Sequence, residues 1–170
     1  MRRLMIVVAL AMPVAILPAE SSFASATSND LVADWSDASN PNGVWAYREG
    51  TDALPFVPDW TPLSAPSVQP AWAPSAIMGN SLPAWFKSTT DNPDGMDFLV
   101  GDVVVHTTDA TNGLASGVAN VIWTSPINGA IDISGAVWMG RDIGRSNTWE
   151  LLINGVSLTS GAIADGDPYD

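Results

Sequence analysis

The stretch WELLINGVSL, residues 149–158, decides how this chain folds. Two short apolar runs flank Asn154 and Gly155, and both of these residues tolerate the positive φ that a tight two-residue turn requires. An Asn-Gly pair between apolar runs is the strongest short-range signal for a β-hairpin. We therefore expect antiparallel strands on either side of this turn.

Residues 118–139 predict a second pair of strands by the same logic. Residues 118–123 form an apolar run that ends at Thr-Ser-Pro, and Asn128-Gly129 marks the turn that follows. Residues 131–139 alternate apolar and polar side chains, which is the pattern of a strand with one buried face. The side chains expected on that face are Ile131, Ile133, Val137 and Met139.

Short strands between turn signals continue toward the N-terminus. Residues 44–47 predict an early strand, and residues 98–106 predict a strand or a strand pair in which Gly101-Asp102 fits either a turn or a bulge. No long stretch after residue 26 has the i, i+3, i+4, i+7 spacing of an amphipathic helix. We therefore expect an all-β protein, an antiparallel β-sandwich.

Residues 54–86 differ from the rest because seven prolines recur through them. Trp60, Trp72 and Trp85 lie in the same region, and exposing so much ring surface to water would be costly. We interpret the region as long loops and edge strands laid over the sandwich. For the three tryptophans, packing beneath these loops is favoured over contact with a ligand.

The first 26 residues have the composition of a secretory signal peptide. Two arginines precede an apolar run over residues 4–19, and the small residues of a cleavage site end at Ala26. The run is too short and too interrupted by proline for a membrane-spanning helix, which needs about 20 residues. We expect cleavage after Ala26, no membrane insertion afterwards, and a single domain over residues 27–170 that is secreted or held at the cell surface.

Charge and composition exclude several classes of function. The net charge is −12, and removing the leader changes it to −13 with four basic residues left. Nucleic acid is therefore not an expected partner, because phosphate binding needs clustered Lys and Arg. The chain has no cysteine and one histidine, His106, which excludes thiol chemistry and zinc sites rich in Cys or His.

Catalytic patterns are weak. His106 follows an apolar run without a Gly-x-Ser-x-Gly turn elsewhere in the chain, so we expect it to be structural. Among the 17 acidic residues left after removal of the leader some pairs will lie close together by chance, but none has a recognisable catalytic setting. We expect a non-catalytic protein, and keep a carboxylate-dependent glycoside hydrolase or lyase as the alternative.

One acidic loop offers the oxygen ligands that Ca²⁺ binds. Residues 91–97 read DNPDGMD, and Asp91, Asp94 and Asp97 supply three carboxylates. The spacing does not match the helix-flanked calcium loop, and Asp and Asn are also ordinary turn residues. The loop is a candidate structural calcium site, with plain turn chemistry as the alternative.

The aromatic residues give the best indication of function. Flat rings stack on the C–H faces of sugars while acidic and amide side chains bind the hydroxyls, and Trp45 and Tyr47 lie beside Asp37, Asn40 and Asn42. We expect Trp45 to seal one end of the core and Tyr47 to reach solvent. The candidate carbohydrate-binding residues are Tyr47, Trp60, Trp72 and Trp85, because loops usually carry binding residues.

Several stretches together resemble a domain of secreted bacterial proteins that often carry the PEP-CTERM (exosortase) sorting tail. They are DWS at 34–36, NPNGVWAY at 40–47, VVVH at 103–106, VIWTSPINGAIDISG at 121–135 and WELLINGVSLTSG at 149–161. The resemblance implies a galactose-binding-like jelly roll, similar to modules found beside polysaccharide-degrading catalytic domains. It carries over no ligand residue, and Ile122 stands where that pattern has an Arg before the tryptophan.

These observations predict an exported module that binds polysaccharide or a cell-surface glycan, or that serves in exopolysaccharide. A purely structural surface protein without a small ligand is a further alternative. Since the sequence stops soon after the hairpin, we expect a jelly roll that is incomplete at its C-terminus and without a sorting tail.

Overall fold

The structure, a computed structural model, describes residues 27–61, 68–76, 80–91, 96–108 and 118–164, together with the backbone of residues 3–9. This part of the chain contains ten β-strands and no helix, so the prediction of an all-β protein is confirmed. The strands are β1 Arg3–Ala9, β2 Trp45–Glu49, β3 Asp52–Ala53, β4 Phe56–Trp60, β5 Gln69–Trp72, β6 Ala84–Lys87, β7 Val103–His106, β8 Ala119–Thr124, β9 Asn147–Ile153 and β10 Val156–Ile163.

The strands form two sheets that pack against each other. The six-stranded sheet has the order β10-β9-β1-β8-β2-β3, and the four-stranded sheet has the order β4-β5-β6-β7. β1 pairs in parallel with β8 and with β9. The other strand pairings described in both sheets are antiparallel, as the sequence predicted.

The β9–β10 hairpin forms where the Asn-Gly pair predicts it. Asn154 and Gly155 have φ values of 52° and 78°, and Val156 pairs with Ile153 directly across the turn. Both turn residues lie in the left-handed region that such a turn requires. A bulge interrupts the ladder after Ser157, and the pairing then continues to the end of β10.

Residues 131–139 do not form the predicted strand. They contain no strand or bridge, and the Ile133 side chain is 46% exposed. The prediction is wrong because the place beside β8 in the six-stranded sheet is taken by β1. An alternating pattern indicates that a segment suits a strand, but it does not determine which segment obtains the pairing partner.

Within residues 98–106, a turn precedes one strand, β7. Asp102 N donates a hydrogen bond to Leu99 O at 3.1 Å, and Gly101 has a φ of 96°. Of the two interpretations of Gly101-Asp102, the turn is therefore the one that the structure adopts.

Two clusters of buried side chains form the core. The inter-sheet cluster lies between the sheets and consists of Tyr47, Leu54, Trp72, Trp85, Ala119 and Val121. The outer cluster lies on the other face of the four-stranded sheet and consists of Val57, Trp60, Ala71, Ala73, Leu82, Ala84, Phe86, Met96 and Phe98. Neighbouring residues of β6 alternate between the two clusters, as expected for a strand that is buried on both faces.

Residues 54–86 were expected to form long loops and edge strands laid over the sandwich, but their described part supplies β4, β5 and β6, three of the four strands of the second sheet, of which β4 alone is at an edge. Trp60, Trp72 and Trp85 are 0%, 3% and 3% exposed. The preference for packing over ligand contact is therefore confirmed for these tryptophans. Pro58 lies in β4, which is an edge strand, where a missing N–H need not remove a ladder hydrogen bond.

β1 comes from the predicted leader. The rest of the leader, including the expected cleavage site at Ala26, lies outside the described residues. A removed leader and a strand inside the sheet exclude each other, so β1 belongs to the uncleaved chain. No helix long and apolar enough to cross a membrane is found in the part of the chain that the structure describes.

Candidate functional site

A solvent-open depression of about 290 Å³ lies at the start of β2. Its lining residues are Asn29, Asp34, Asn42, Gly43, Val44 and Trp45. Small-molecule sites combine an apolar or aromatic surface with a few polar groups, and this volume is near the lower end of their range. An indole, a carboxylate and two amides make the depression the candidate functional site.

The turn before β2 positions two of these side chains. Asn42 N donates to Trp45 O at 2.7 Å, and Trp45 N donates to Asn42 O at 2.9 Å. Gly43 lies between them with a φ of 56°, in the region that glycine adopts without cost. The Asn-Pro-Asn-Gly sequence therefore forms a tight turn that fixes Asn42 and Trp45 at the mouth of the strand.

A second turn carries Asp34. Asp34 N donates to Asp30 O at 2.8 Å, while Asp30 Oδ1 accepts hydrogen bonds from Val32 N at 2.8 Å and Ala33 N at 3.0 Å. The hydrogen bonds from the Ala33 and Val32 amides lower the pKa of the Asp30 carboxyl, because they stabilise its ionised form. This turn is therefore held by an ionised carboxylate.

Hydrogen bonds join the two turns into one site. Trp45 Nε1 donates to Asp34 Oδ2 at 3.0 Å, and Asp30 N donates to the same oxygen at 3.0 Å. Asn42 Nδ2 donates to the backbone oxygen of Asp34. No hydrogen bond within the described ranges involves Asp34 Oδ1, Asn42 Oδ1 or the side chain of Asn29. A fixed indole edge thus lies beside polar atoms that a ligand hydroxyl can pair with.

Tyr47 does not lie at this surface, and the prediction that it reaches solvent is wrong. Its side chain is fully buried, with its ring centroid 4.6 Å from Trp35, 6.4 Å from Trp72 and 6.1 Å from Trp85. The reason is its position in β2, where it pairs with Val121 of the core. Trp45, at the open end of the same strand, is half-buried and packs against the inter-sheet cluster.

The other three predicted sugar contacts also lie in the core. Trp60 Nε1 donates to Ser81 O at 2.9 Å, and Trp72 Nε1 donates to Ser36 O at 3.0 Å. With Trp85, these rings are at most 3% exposed, so none offers a face on which a sugar could stack. Tyr47, Trp60, Trp72 and Trp85 are therefore structural residues here, and the prediction that they contact carbohydrate is wrong.

The predicted calcium loop is described only in part, since Asp94 lies outside the described residues. Asp91 Oδ1 accepts a hydrogen bond from Val100 N at 2.7 Å, and Asp97 N donates to Gly140 O at 2.8 Å. Over the described ranges no three His, Asp or Glu side chains are grouped so that they could hold a metal ion. Structural calcium at Asp91, Asp94 and Asp97 stays a prediction.

The sequence indicated only half of the candidate site. Asn42 and Trp45 belong to the pattern of aromatic and amide residues that suggested sugar binding, whereas Asn29 and Asp34 were not predicted to take part. Asp34 reaches Trp45 through a hydrogen bond that spans eleven residues. A contact of that kind depends on how two turns meet, and no local pattern predicts it.

The chain was compared with protein-family models, with curated proteins and with solved structures, and none of them matches it. The resemblance to the exosortase-sorted domains therefore stays a prediction. A function for this chain therefore follows from the geometry and chemistry of the depression alone.

Proposed function

We propose that this protein is an exported, non-catalytic β-sandwich that binds carbohydrate through the depression at the start of β2. The observation that carries the proposal is the Trp45 indole, hydrogen-bonded to Asp34 and flanked by Asn29 and Asn42. An indole presents an apolar body with a polar edge, and the neighbouring Asn29 and Asn42 side chains keep polar atoms that pair with none of the described residues. A pyranose presents the matching groups, C–H faces and hydroxyls.

The composition of the site favours binding over hydrolysis. Asp34 is the one carboxylate among the lining residues, whereas cleavage of a glycosidic bond uses a pair of carboxyl groups. The single histidine of the chain, His106, ends β7 and has its Nδ1 3.0 Å from Thr107 O. It is not among the residues that line the depression.

The charge of the chain narrows the class of glycan. With a net charge of −12, the protein repels sulfated and uronic-acid polymers, so the proposed ligand is a neutral polysaccharide or cell-surface glycan. The proposed setting is the cell surface or the exopolysaccharide around it. Two packed sheets that are antiparallel apart from the pairings of β1, with a site at a strand end, are compatible with the galactose-binding-like jelly roll that we propose as the finer fold.

A glycan array probed with the purified full chain tests the proposal. We expect binding to neutral glycans, and we expect Asn29→Ala to weaken it about tenfold, which corresponds to one lost hydrogen bond. Asn128→Ala is the matched control, because it removes an exposed amide outside the depression. Equal binding by both variants would refute this site.

The same array separates the alternatives. Absence of binding to any glycan at high protein concentration would favour a purely structural surface protein. Release of reducing sugar from a bound glycan would favour a hydrolase. Repeating the array with a chelator tests the predicted calcium, because a structural Ca²⁺ site would make binding depend on the ion.

A further inference from the structure

The six-stranded sheet contains one position that two segments of this chain fit. Ile6 of β1 pairs with Val121 of β8 on one side and with Leu151 of β9 on the other. Neighbouring strands lie about 4.8 Å apart, so β8 and β9 are separated by the width of one strand. If β1 leaves, both strands keep an unpaired edge facing the same gap.

Residues 131–139 connect β8 to β9 and have the sequence of a strand, yet they contain no strand pairing. Since β8 and β9 are parallel to β1, they are parallel to each other. A segment that leaves the end of β8 and returns to the start of β9 must run antiparallel to both. Residues 131–139 therefore have the direction that a simple up-and-down sheet requires in this gap.

One register agrees with contacts that already exist. Val137 packs against the inter-sheet cluster, to which Ala119 belongs and against which Trp149 also packs. If Val137 pairs with Ala119 and Trp149, antiparallel counting brings Ile133 opposite Trp123. The alternating apolar residues then share the face of β8 that points into the core, and the two connecting loops have ordinary lengths.

We propose that residues 131–139 replace β1 between β8 and β9 when the N-terminal segment leaves the sheet. The replacement makes the sheet entirely antiparallel, which is slightly more favourable per residue. It also exchanges a pairing between distant parts of the chain for pairings between sequence neighbours, which lowers the entropy lost on closing the loop. β1 thus occupies the position between β8 and β9 only in the uncleaved chain, and residues 131–139 pair there after the leader is removed.

Hydrogen exchange of the backbone amides in the full chain tests this proposal. Ile6→Pro removes an N–H at the centre of β1 and disrupts its pairing, while Ile6→Val is the matched control that keeps the strand. In the wild type and in Ile6→Val, residues 131–139 should exchange rapidly. In Ile6→Pro they should exchange at least about a hundredfold more slowly, with β8 and β9 still protected.

A second substitution makes the test specific to this segment. Gly135→Pro alone should leave protection in the full chain unchanged, since nothing lies within 4 Å of a Cβ at that position. Combined with Ile6→Pro, it should abolish the protection of residues 131–139. Ile6→Asp, which keeps the N–H but puts a residue of low strand propensity into an interior strand, should reproduce the effect of Ile6→Pro.

Two outcomes would overturn the proposal. In the first, residues 131–139 still exchange rapidly in Ile6→Pro and Ile6→Asp. In the second, β8 and β9 lose their protection in both variants, whether locally or through unfolding, because nothing then takes the place of β1. The proposal shares leader removal with the proposed function, but glycan binding does not enter this readout, so a failure of one is distinguishable from a failure of the other.

Discussion

Trp149 lies directly over the Cα of Gly161, its pairing partner across the β9–β10 ladder. A Cβ built on Gly161 would lie 2.7 Å from Trp149 Nε1 and 2.9 Å from Cε2. The missing side chain gives the indole room to cover the backbone of an edge strand while it packs against the inter-sheet cluster. The glycine and the tryptophan therefore act as one cross-strand unit.

This contact predicts that Gly161→Ala destabilises the protein by about 1–3 kcal/mol, because the indole must move away from its packed position. The free energy of unfolding in urea measures the effect. Trp149→Leu removes the atoms that the new methyl group meets, so Gly161→Ala should cost clearly less in that background. Equal costs in the two backgrounds would show that the indole does not restrict this position.

A second prediction concerns the turn of the same hairpin, where a substitution lowers stability through backbone conformation. A Cβ at Gly155 would have nothing within 4 Å, so Gly155→Val acts through the φ of 78° and not through packing. We expect a loss of about 1–2 kcal/mol, the usual cost of the left-handed region for an L-residue. Asn154→Gly keeps that region accessible and should change the unfolding free energy by only a few tenths of a kcal/mol. Thermal or urea unfolding that fails to separate these two variants would contradict the assigned turn.

Local signals in the sequence predicted the elements whose turn and strand residues lie close together. β8 and β9 form within two residues of their predicted bounds, whereas β10 continues five residues beyond its predicted end at Leu158. The prediction of a strand at residues 131–139 was wrong for a different reason. A strand also needs a pairing partner, and β1 occupies the position beside β8. Competition between segments more than a hundred residues apart is not encoded in any local alternation.

The aromatic residues show the same limit at the candidate site. Trp45 and Tyr47 lie two positions apart on one strand. The sequence does not show that the second sheet packs over Tyr47 and leaves Trp45 at the open end. The second sheet was not predicted, because the prolines of residues 54–86 indicated loops. The segment forms strands instead, and they bury its three tryptophans. Asn42 was identified from composition, but Asp34 joined the site through tertiary contact alone.

A third prediction concerns the stability contributed by Asn40, whose side chain forms hydrogen bonds with two backbone segments. Its Oδ1 accepts from Tyr47 N at 2.9 Å, and its Nδ2 donates to Tyr47 O at 2.8 Å and to Leu54 O at 2.9 Å. Asn40→Ala should cost about 2–3 kcal/mol, because Tyr47 N and Leu54 O each lose the Asn40 side chain as a partner, whereas Tyr47 O still accepts from Leu54 N. Asn40→Asp keeps the acceptor for Tyr47 N but turns a carboxylate oxygen toward the acceptors Tyr47 O and Leu54 O, so it should cost at least as much. The exposed control Asn128→Ala should cost less than about 0.5 kcal/mol in urea unfolding. A cost for Asn40→Ala as small as that of the control would mean that these bonds are replaced by water.

Tyr47 supports a fourth prediction, which reverses the expectation from sequence that Trp45 matters more for stability. Tyr47→Ala empties the centre of the inter-sheet cluster and should cost about 3–5 kcal/mol, more than Trp45→Ala, whose ring is half-buried. The Tyr47 hydroxyl is buried and makes no hydrogen bond with any described residue. Tyr47→Phe should therefore leave stability unchanged or raise it by about 1 kcal/mol. Thermal unfolding in which Trp45→Ala melts below Tyr47→Ala would contradict the assignment.

Because the Tyr47 hydroxyl is buried, we expect the free energy of unfolding to depend on pH in the alkaline range. Burial, reinforced by the negative charges of Asp34 and Asp37, raises the pKa of Tyr47 above its ordinary value of about 10. Above that pH the unfolded chain releases the proton while the folded chain keeps it, so the contribution of Tyr47 is complete below about pH 10 and falls as pH rises. The stability of the wild type relative to Tyr47→Phe should thus fall by up to about 1.4 kcal/mol per pH unit above that point. Other groups that titrate in this range are common to both proteins and cancel in the difference. A difference in unfolding free energy that stays constant from about pH 9 to about pH 11 would mean that the folded protein lets the hydroxyl ionise as freely as the unfolded chain does.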